Sequence, residues 1–197
     1  MRIALAHGAW FDHEPSWLAP READALLAAL VAELCWEQRT IVLFGRAVLQ
    51  PRLIAWAGAL GYRYSGQTLP PRPFTPTVDR LLQRVAERAG VGFNHMLANR
   101  YRDGRDSMGW HADDEAELGD DPVVATVSLG ATRRFALKPR RNTDGRGQAI
   151  DLGSGSLVIM GGACQRHYVH GIPRQADVRD ERISLTFRWL QREPGRT

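Results

Sequence analysis

His111-Ala112-Asp113 sets an imidazole and a carboxylate two residues apart, and His167 and His170 follow much later in the chain. Two imidazoles and one carboxylate are the set that holds one face of a non-haem Fe(II) ion, leaving positions open for a co-substrate and oxygen. Spacing i, i+2 turns both side chains of the first pair to the same side of a β-strand. Such a pair alone carries little, because a chain with six histidines produces some by chance. Two histidines and an aspartate also suit a zinc hydrolase. On spacing alone, either His167 or His170 can supply the second imidazole.

A second pattern gives the first its weight. Arg182-Ile-Ser-Leu-Thr-Phe-Arg188 alternates as a strand, with Arg182, Ser184, Thr186 and Arg188 on one face. Ile183, Leu185, Phe187 and Trp189 form the other, which packs against a core. The polar face has two readings. Its arginines are solvated on an outward surface, as charged residues mostly are. Alternatively, two guanidinium forks framing two hydroxyls clamp a dicarboxylate, one fork at each end. A zinc hydrolase has no need of that clamp, and an iron set upstream favours it.

The motifs Phe93-Asn-His-Met-Leu-Ala-Asn99-Arg-Tyr101, Trp110-His-Ala-Asp-Asp-Glu115, Val127-Ser-Leu-Gly130, His170-Gly-Ile and Arg182–Arg188 stand in one order. In that order the chain resembles the AlkB family, Fe(II)- and 2-oxoglutarate-dependent dioxygenases that remove alkyl groups from nucleic-acid bases. The resemblance runs from Leu43 to Trp189; the first forty residues match no motif of it. It implies Fe(II) on His111, Asp113 and His170, the histidine immediately before Gly171-Ile172, with 2-oxoglutarate and O2 as co-substrates. His167 is then a packing or hydrogen-bonding residue. Arg182 and Tyr101 are expected at the distal carboxylate of 2-oxoglutarate, and Arg188 and Asn99 at its metal-bound end. Ser184 stands where the family usually has Asn, so one amide contact is replaced by a hydroxyl.

The resemblance further implies a nucleic-acid substrate, DNA ahead of RNA, with an N-linked methyl lost as formaldehyde. A base must be flipped and gripped to reach a buried iron. Tyr62 and Tyr64, in a segment that resembles the family's lid, are expected to grip it, the alternative being ordinary core tyrosines. Glu115 is expected near the base, and Asp114 either there or paired with an arginine. Arg140 and Arg141, with Arg133, Arg134, Lys138, Arg146 and Arg72, are candidates for phosphate contacts or for solvated surface. Trp110 points away from the site if its strand is regular, and is expected in the core. The same chemistry on RNA, a protein or a small molecule is the alternative, and a non-catalytic binding module a third class, opposed by the complete ligand and arginine sets.

Those residues must be positioned by a scaffold, and 197 residues suffice for one domain with a sizeable core. No apolar run reaches the length of a membrane span, and the start is too polar for a secretory signal. Two cysteines, Cys35 and Cys164, imply no disulfide framework and fit a reducing cytoplasm. A net charge of +4 suits a polyanion without requiring one. A monomer is expected for an enzyme that embraces a polymer.

The pattern along the chain predicts an amphipathic helix over Arg21–Gln38, a strand over Ile41–Phe44, a helix over Pro51–Leu60, a loop over Gly66–Pro76 and a helix over Thr75–Arg88 ending at Gly90. His95 is placed in phase with Leu97, Asn99 and Tyr101 and read as structural; His7 and His13 are read as surface. Short strands follow at Val123–Leu129, Phe135–Lys138, Ser156–Met160 and Ile183–Leu190. Helices first and strands after make an α+β domain. The resemblance makes its strand half a jelly-roll double-stranded β-helix, with the N-terminal helices packed on it. Residues 1–197 are read as one domain, with 1–40 as an N-terminal extension and helix and 61–76 as a nucleotide-recognition lid.

Overall fold

The computed structural model describes residues 2–43, 45–64, 66–141 and 146–191. Phe44 of the expected strand, Ser65 of the expected lid and residues 142–145 of the expected basic hairpin lie outside the described residues. The chain opens with strands β1 (Arg2–Ala4) and β2 (Trp10–Glu14), then helix α1 (Pro20–Glu33). A hairpin, β3 (Thr40–Leu43) and β4 (Arg46–Leu49), leads to β5 (Leu53–Gly58). A second hairpin follows, β6 (Tyr62–Tyr64) and β7 (Gln67–Leu69), and then helix α2 (Pro76–Ala89). The remainder comprises β8 (His95–Tyr101), β9 (Met108–His111), β10 (Val124–Gly130), β11 (Arg133–Pro139), β12 (Gln148–Leu152), β13 (Ser156–Gly161), the one-turn α3 (Cys164–His167), β14 (Tyr168–Ile172) and β15 (Arg182–Arg188).

Two antiparallel sheets face each other. The major sheet has the order β1-β2-β13-β10-β15-β8-β5, the minor sheet β12-β11-β14-β9. Between them pack Tyr101, Val124, Phe135, Leu137, Val158 and Tyr168. On the other side of the major sheet, Ala23 and Leu30 of α1 and Val78, Leu81 and Val85 of α2 meet Ala98, Val127, Ile183, Leu185 and Phe187. This is a jelly-roll core with helices packed on one face, the α+β architecture expected.

α2 forms where its signals stand. The Thr75 hydroxyl accepts from the Val78 amide at 3.2 Å, Pro76 opens the first turn, and Gly90 closes the helix at φ 71°. α1 is shorter than its periodicity predicts. It stops at Glu33, Leu34 turns extended, and Glu37 pairs with Ile54 on the edge of β5. Leu34 and Trp36, expected on the helix, lie past its end and still pack on the core.

The expected helix over Pro51–Leu60 is instead β5. Leu53-Ile-Ala-Trp-Ala-Gly58 is apolar throughout and too short for periodicity to separate a buried strand from a helix. Pairing along β8 from Arg100 to His95 decides it. Part of the expected loop, Gln67–Leu69, pairs with Tyr62–Tyr64, so the lid segment begins as a hairpin. Trp10–Glu14 lies along β13 and brings the N-terminus into the major sheet. The expected Val123, Phe135 and Ser156 strands form with bounds shifted by one or two residues, and Trp189 lies past the end of β15, 53% exposed rather than buried. Among the described residues no helix is long and apolar enough to cross a membrane.

Candidate active site

β15 is buried on both faces. Arg182, Ser184, Thr186 and Arg188 are 1%, 4%, 8% and 2% exposed, which rules out the solvated reading of the polar face. These four look toward the minor sheet across a narrow cavity of about 40 Å³. Register with β8 sets their neighbours: Arg182 lies opposite Tyr101, Ser184 opposite Asn99 and Arg188 opposite His95. Arg182 donates through Nη2 to the Ser128 hydroxyl at 2.7 Å, and its guanidinium lies 5.3 Å from the centroid of the Tyr101 ring. Its Nε and Nη1 have no hydrogen-bond partner. Burial pushes this guanidinium down to about 10, although Tyr101 opposes the shift.

At the other end of the cavity β9 and β14 bring two imidazoles together. His111 and His170 are register partners with ring centroids 4.3 Å apart. His111 Nδ1 meets the Gly109 carbonyl at 2.9 Å, which leaves Nε2 to face the cavity. Asp113 follows β9, and its amide donates to the buried Gln165 side chain at 2.9 Å. One carboxylate oxygen accepts from Arg188 Nε and Nη2 at 3.1 and 2.5 Å. The other has no hydrogen-bond partner and stands 3.8 Å from His170 Nε2. Burial alone raises the pKa of Asp113, but Arg188, His170 and His111 outweigh it and hold the carboxyl at about 2. Burial, with His111 nearby, lowers His170 to about 3. A carboxylate and a neutral imidazole are the forms that ligate metal.

Among the described residues no three His, Cys, Asp or Glu side chains already form a metal cage, and Arg188 takes one oxygen of Asp113. The fit is judged instead from buried polar atoms left without partners: Asp113 Oδ2, His170 Nδ1, Arg182 Nε and Nη1, and Arg188 Nη1. Unpaired buried groups of this kind are costly. A cation at one end of the cavity and a dicarboxylate along it would satisfy the carboxylate and the two guanidinium groups.

Beside the His111 and Asp113 end of the cavity, Tyr62 and Tyr64 are both buried, their ring centroids 6.2 Å apart. Arg52, itself buried, ties this hairpin down. It donates to the Tyr64 hydroxyl at 2.7 Å and to the Asn99 side chain at 2.8 Å. Tyr62 packs on His95 at 4.7 Å between centroids, and its hydroxyl is turned toward the Glu115 carboxyl. Glu115 lies beside the Tyr62 hydroxyl, and burial raises its pKa despite Arg188 and Tyr62.

Residues 11–188 match the model of the 2OG-Fe(II) oxygenase superfamily. Alpha-ketoglutarate-dependent dioxygenase alkB homolog 3 from Homo sapiens is 38% identical over 188 residues, 91% of this chain and 66% of that protein. DNA oxidative demethylase ALKBH2 from Mus musculus is 36% identical over 181 residues, 85% of this chain and 74% of that protein. The chain belongs to the AlkB family. It spans just under two thirds of the length of the alkB homolog 3 proteins it matches, 66% of the human and 64% of the rat protein. The structure of OsALKBH1 superposes with a TM-score of 0.63 at 17% identity, over 90% of this chain and 97% of that one, and so shares the fold. AlkB membership implies Fe(II), 2-oxoglutarate and O2 as cofactor and co-substrates.

Against this AlkB frame the expected site residues divide. His111, Asp113, His170, Asn99, Tyr101, Arg182, Ser184 and Arg188 all line one cavity. His167 does not; it ends α3 and stacks on the exposed His7. His13 is half-buried on β2 rather than on the surface. The basic candidates are mostly engaged. Arg133 is fully buried and donates to the carbonyls of Asp103, Asp106 and Pro173. Arg140 pairs with Asp114 and donates to the Gln165 carbonyl at 3.0 Å. Arg72 lies 3.6 Å over Trp56 and pairs with Glu37. Arg134 lies 3.6 Å from Asp151, while Arg141 and Arg146 are exposed. Trp110, expected in the core, points outward from the edge strand β9 and is 52% exposed.

Three residues of the site were not anticipated: Arg52, Ser128 and Gln165. Ser128 was readable, since it lies in Val127-Ser-Leu-Gly130. Arg52 and Gln165 act through contacts 47 and 52 positions away, which no local pattern announces.

Proposed function

We propose that this protein oxidatively removes alkyl groups from N-alkylated nucleic-acid bases of the 1-methyladenine and 3-methylcytosine type, in DNA ahead of RNA. The observation that carries the reading is the buried pair Arg182 and Arg188, with unpartnered guanidinium nitrogens, running from Tyr101 to the His111, Asp113 and His170 cluster. Those three residues would hold Fe(II). When bound, the iron with O2 and 2-oxoglutarate supplies the oxidant for one N-linked methyl, and succinate and carbon dioxide are released. The hydroxymethylated base then loses formaldehyde, leaving the unmodified nitrogen.

The chain's own groups orient and exclude. Arg182 and Tyr101 hold the distal carboxylate, and Asn99 and Arg188 stand at the metal-bound end, with the Ser184 hydroxyl between. Arg188 also keeps Asp113 ionised and turned into the site. Glu115 and Tyr62, which interact with each other, offer a carboxyl and a hydroxyl to a base edge beside the metal. Residues 61–76 act as the recognition lid. Since both tyrosine rings are buried, a flipped base is gripped only when the β6–β7 hairpin yields, with the bond from Arg52 to Tyr64 as its tether. Arg141, rather than the paired Arg140, is left to meet phosphates. The free Cys35 and Cys164 are consistent with a reducing cytoplasm, and one copy of the chain carries every proposed group.

The engagement of Arg133, Arg140 and Arg72 favours a second reading, the same chemistry on a substrate other than nucleic acid. The deciding experiment supplies Fe(II), ascorbate and 2-oxoglutarate with single- and double-stranded oligonucleotides carrying one methylated base, and follows methyl loss by mass spectrometry. Conversion is expected, absent in Asp113→Ala, with the 2-oxoglutarate KM raised about a hundredfold in Arg182→Ala, the loss of a charged hydrogen-bonded pair. Turnover of 2-oxoglutarate with no methyl loss from any strand would select the second reading. An unchanged KM in Arg182→Ala would remove the clamp.

A further inference from the structure

Trp110 and His111 are chain neighbours that face opposite ways from β9, the edge strand of the minor sheet. His111 looks into the site; Trp110 looks outward and is 52% exposed. Lys138 Nζ lies 4.3 Å from the centroid of the indole. Gly171 lies on the strand between them. A Cβ there would come within 2.9 Å of the Met108 carbonyl oxygen. Beside the indole is a cavity of about 160 Å³, lined by Met108, Ala136, Ile172 and Pro173 together with Arg174. Lys138 and Arg174 are both exposed, and neither has a carboxylate partner among the described residues. An exposed indole, an apolar recess and two uncompensated cations thus lie together, one strand's thickness from the ligand cluster.

We propose that this outer face of the minor sheet is a stacking platform for an unpaired base of a nucleic-acid strand. Trp110 takes the face of the base over the recess, and Lys138 and Arg174 take the flanking phosphates. The assignment rests on the nucleic-acid reading above and extends it to a contact outside the lid. An aromatic face accepts any base, and flanking cations follow the backbone whatever its sequence. Bases in a duplex are already stacked on one another, so the platform selects single strands. A strand whose reacting base enters beside His111 has only to pass the edge of β9 to place a neighbouring base on Trp110.

The test compares two single-stranded oligonucleotides, one long and one restricted to the methylated base and its immediate neighbours, on wild type, Trp110→Ala, Trp110→Phe and the double variant Lys138→Ala/Arg174→Ala. Binding is read by fluorescence anisotropy over a range of salt, and turnover by methyl loss. Trp110→Ala is expected to weaken the long strand about tenfold and to leave KM for the short one unchanged, with Trp110→Phe restoring most of the loss. The double variant is expected to flatten the salt dependence by about two charges. Long-strand binding unchanged in Trp110→Ala would overturn the platform while leaving the demethylase reading intact. Equal losses on both strands, unrescued by Phe, would overturn it as well. Wild-type protein that neither binds nor demethylates any strand would overturn both readings.

Discussion

His95 is fully buried with no hydrogen-bond partner at either ring nitrogen, held between Tyr62 and the strand that carries Arg188. Burial, helped by the Arg188 charge, lowers its pKa to about 3 from the usual 6.5. The unfolded chain therefore binds a proton at this residue as pH falls through 6.5, and the folded chain does so only near 3. Between those values unfolding takes up a proton, so stability falls with falling pH; above 6.5 the residue contributes no pH dependence. Phenylalanine keeps the ring contact and removes the titration. His95→Phe is expected to take about 1.4 kcal/mol per pH unit off the acid slope of unfolding free energy, as urea denaturation across that window would show. A slope equal to wild type would mean that the imidazole is not held neutral. That His95 faces inward is legible from its phase with Asn99 and Tyr101. Its lack of partners is not, because it depends on which side chains the lid hairpin lays over it.

β5 and the β6–β7 hairpin make one working unit through Arg52. The guanidinium joins Tyr64 on the hairpin to Asn99 on β8 and also donates to the Ser107 carbonyl at 3.3 Å. Arg52→Met keeps the stem and deletes these donors, leaving buried acceptors unpaired. It is expected to destabilise the protein by about 3 kcal/mol. Amide hydrogen exchange should rise in residues 62–69 and stay slow in β10 and β15. Uniformly faster exchange would show that Arg52 supports the whole sheet rather than the lid. At this scale the sequence separated elements well where signals are local. Thr75, Pro76 and Gly90 mark α2, and strict alternation marks β15. It did so poorly at Leu53–Gly58, where both faces are buried and no polar residue records the period.

At the scale of the molecule, β1 and β2 near the N-terminus belong to the major sheet. Phe11 is buried in the core between the sheets, and Glu14 to Trp10 pair with Leu157 to Gly161. Gly161 is needed there because a Cβ would run into the Trp10 indole. Removing residues 1–14 uncovers the edge of β13, whose residues are all buried, and an open apolar edge pairs with other chains. The truncated chain is expected to melt at least about 10 °C lower, given the strand and core residue lost, and to aggregate on heating. Unaltered melting by calorimetry would make the segment a dispensable extension.

The sequence by itself pointed to the chemistry and to the strand proposed to carry it. Metal ligands and clamping arginines are few in kind and fall at spacings that backbone geometry makes meaningful. It also determined that most of the chain follows one family's order of motifs. Only the tertiary structure decided that the polar face of β15 is buried, and that the His170 singled out by the motif pairs with His111. It alone decided that Arg133, Arg140 and Arg72 are spoken for and that Trp110 is exposed. The reason is physical. Side-chain type and local period are written in consecutive residues, whereas burial and ion pairing depend on partners that only the packing of two sheets brings within reach.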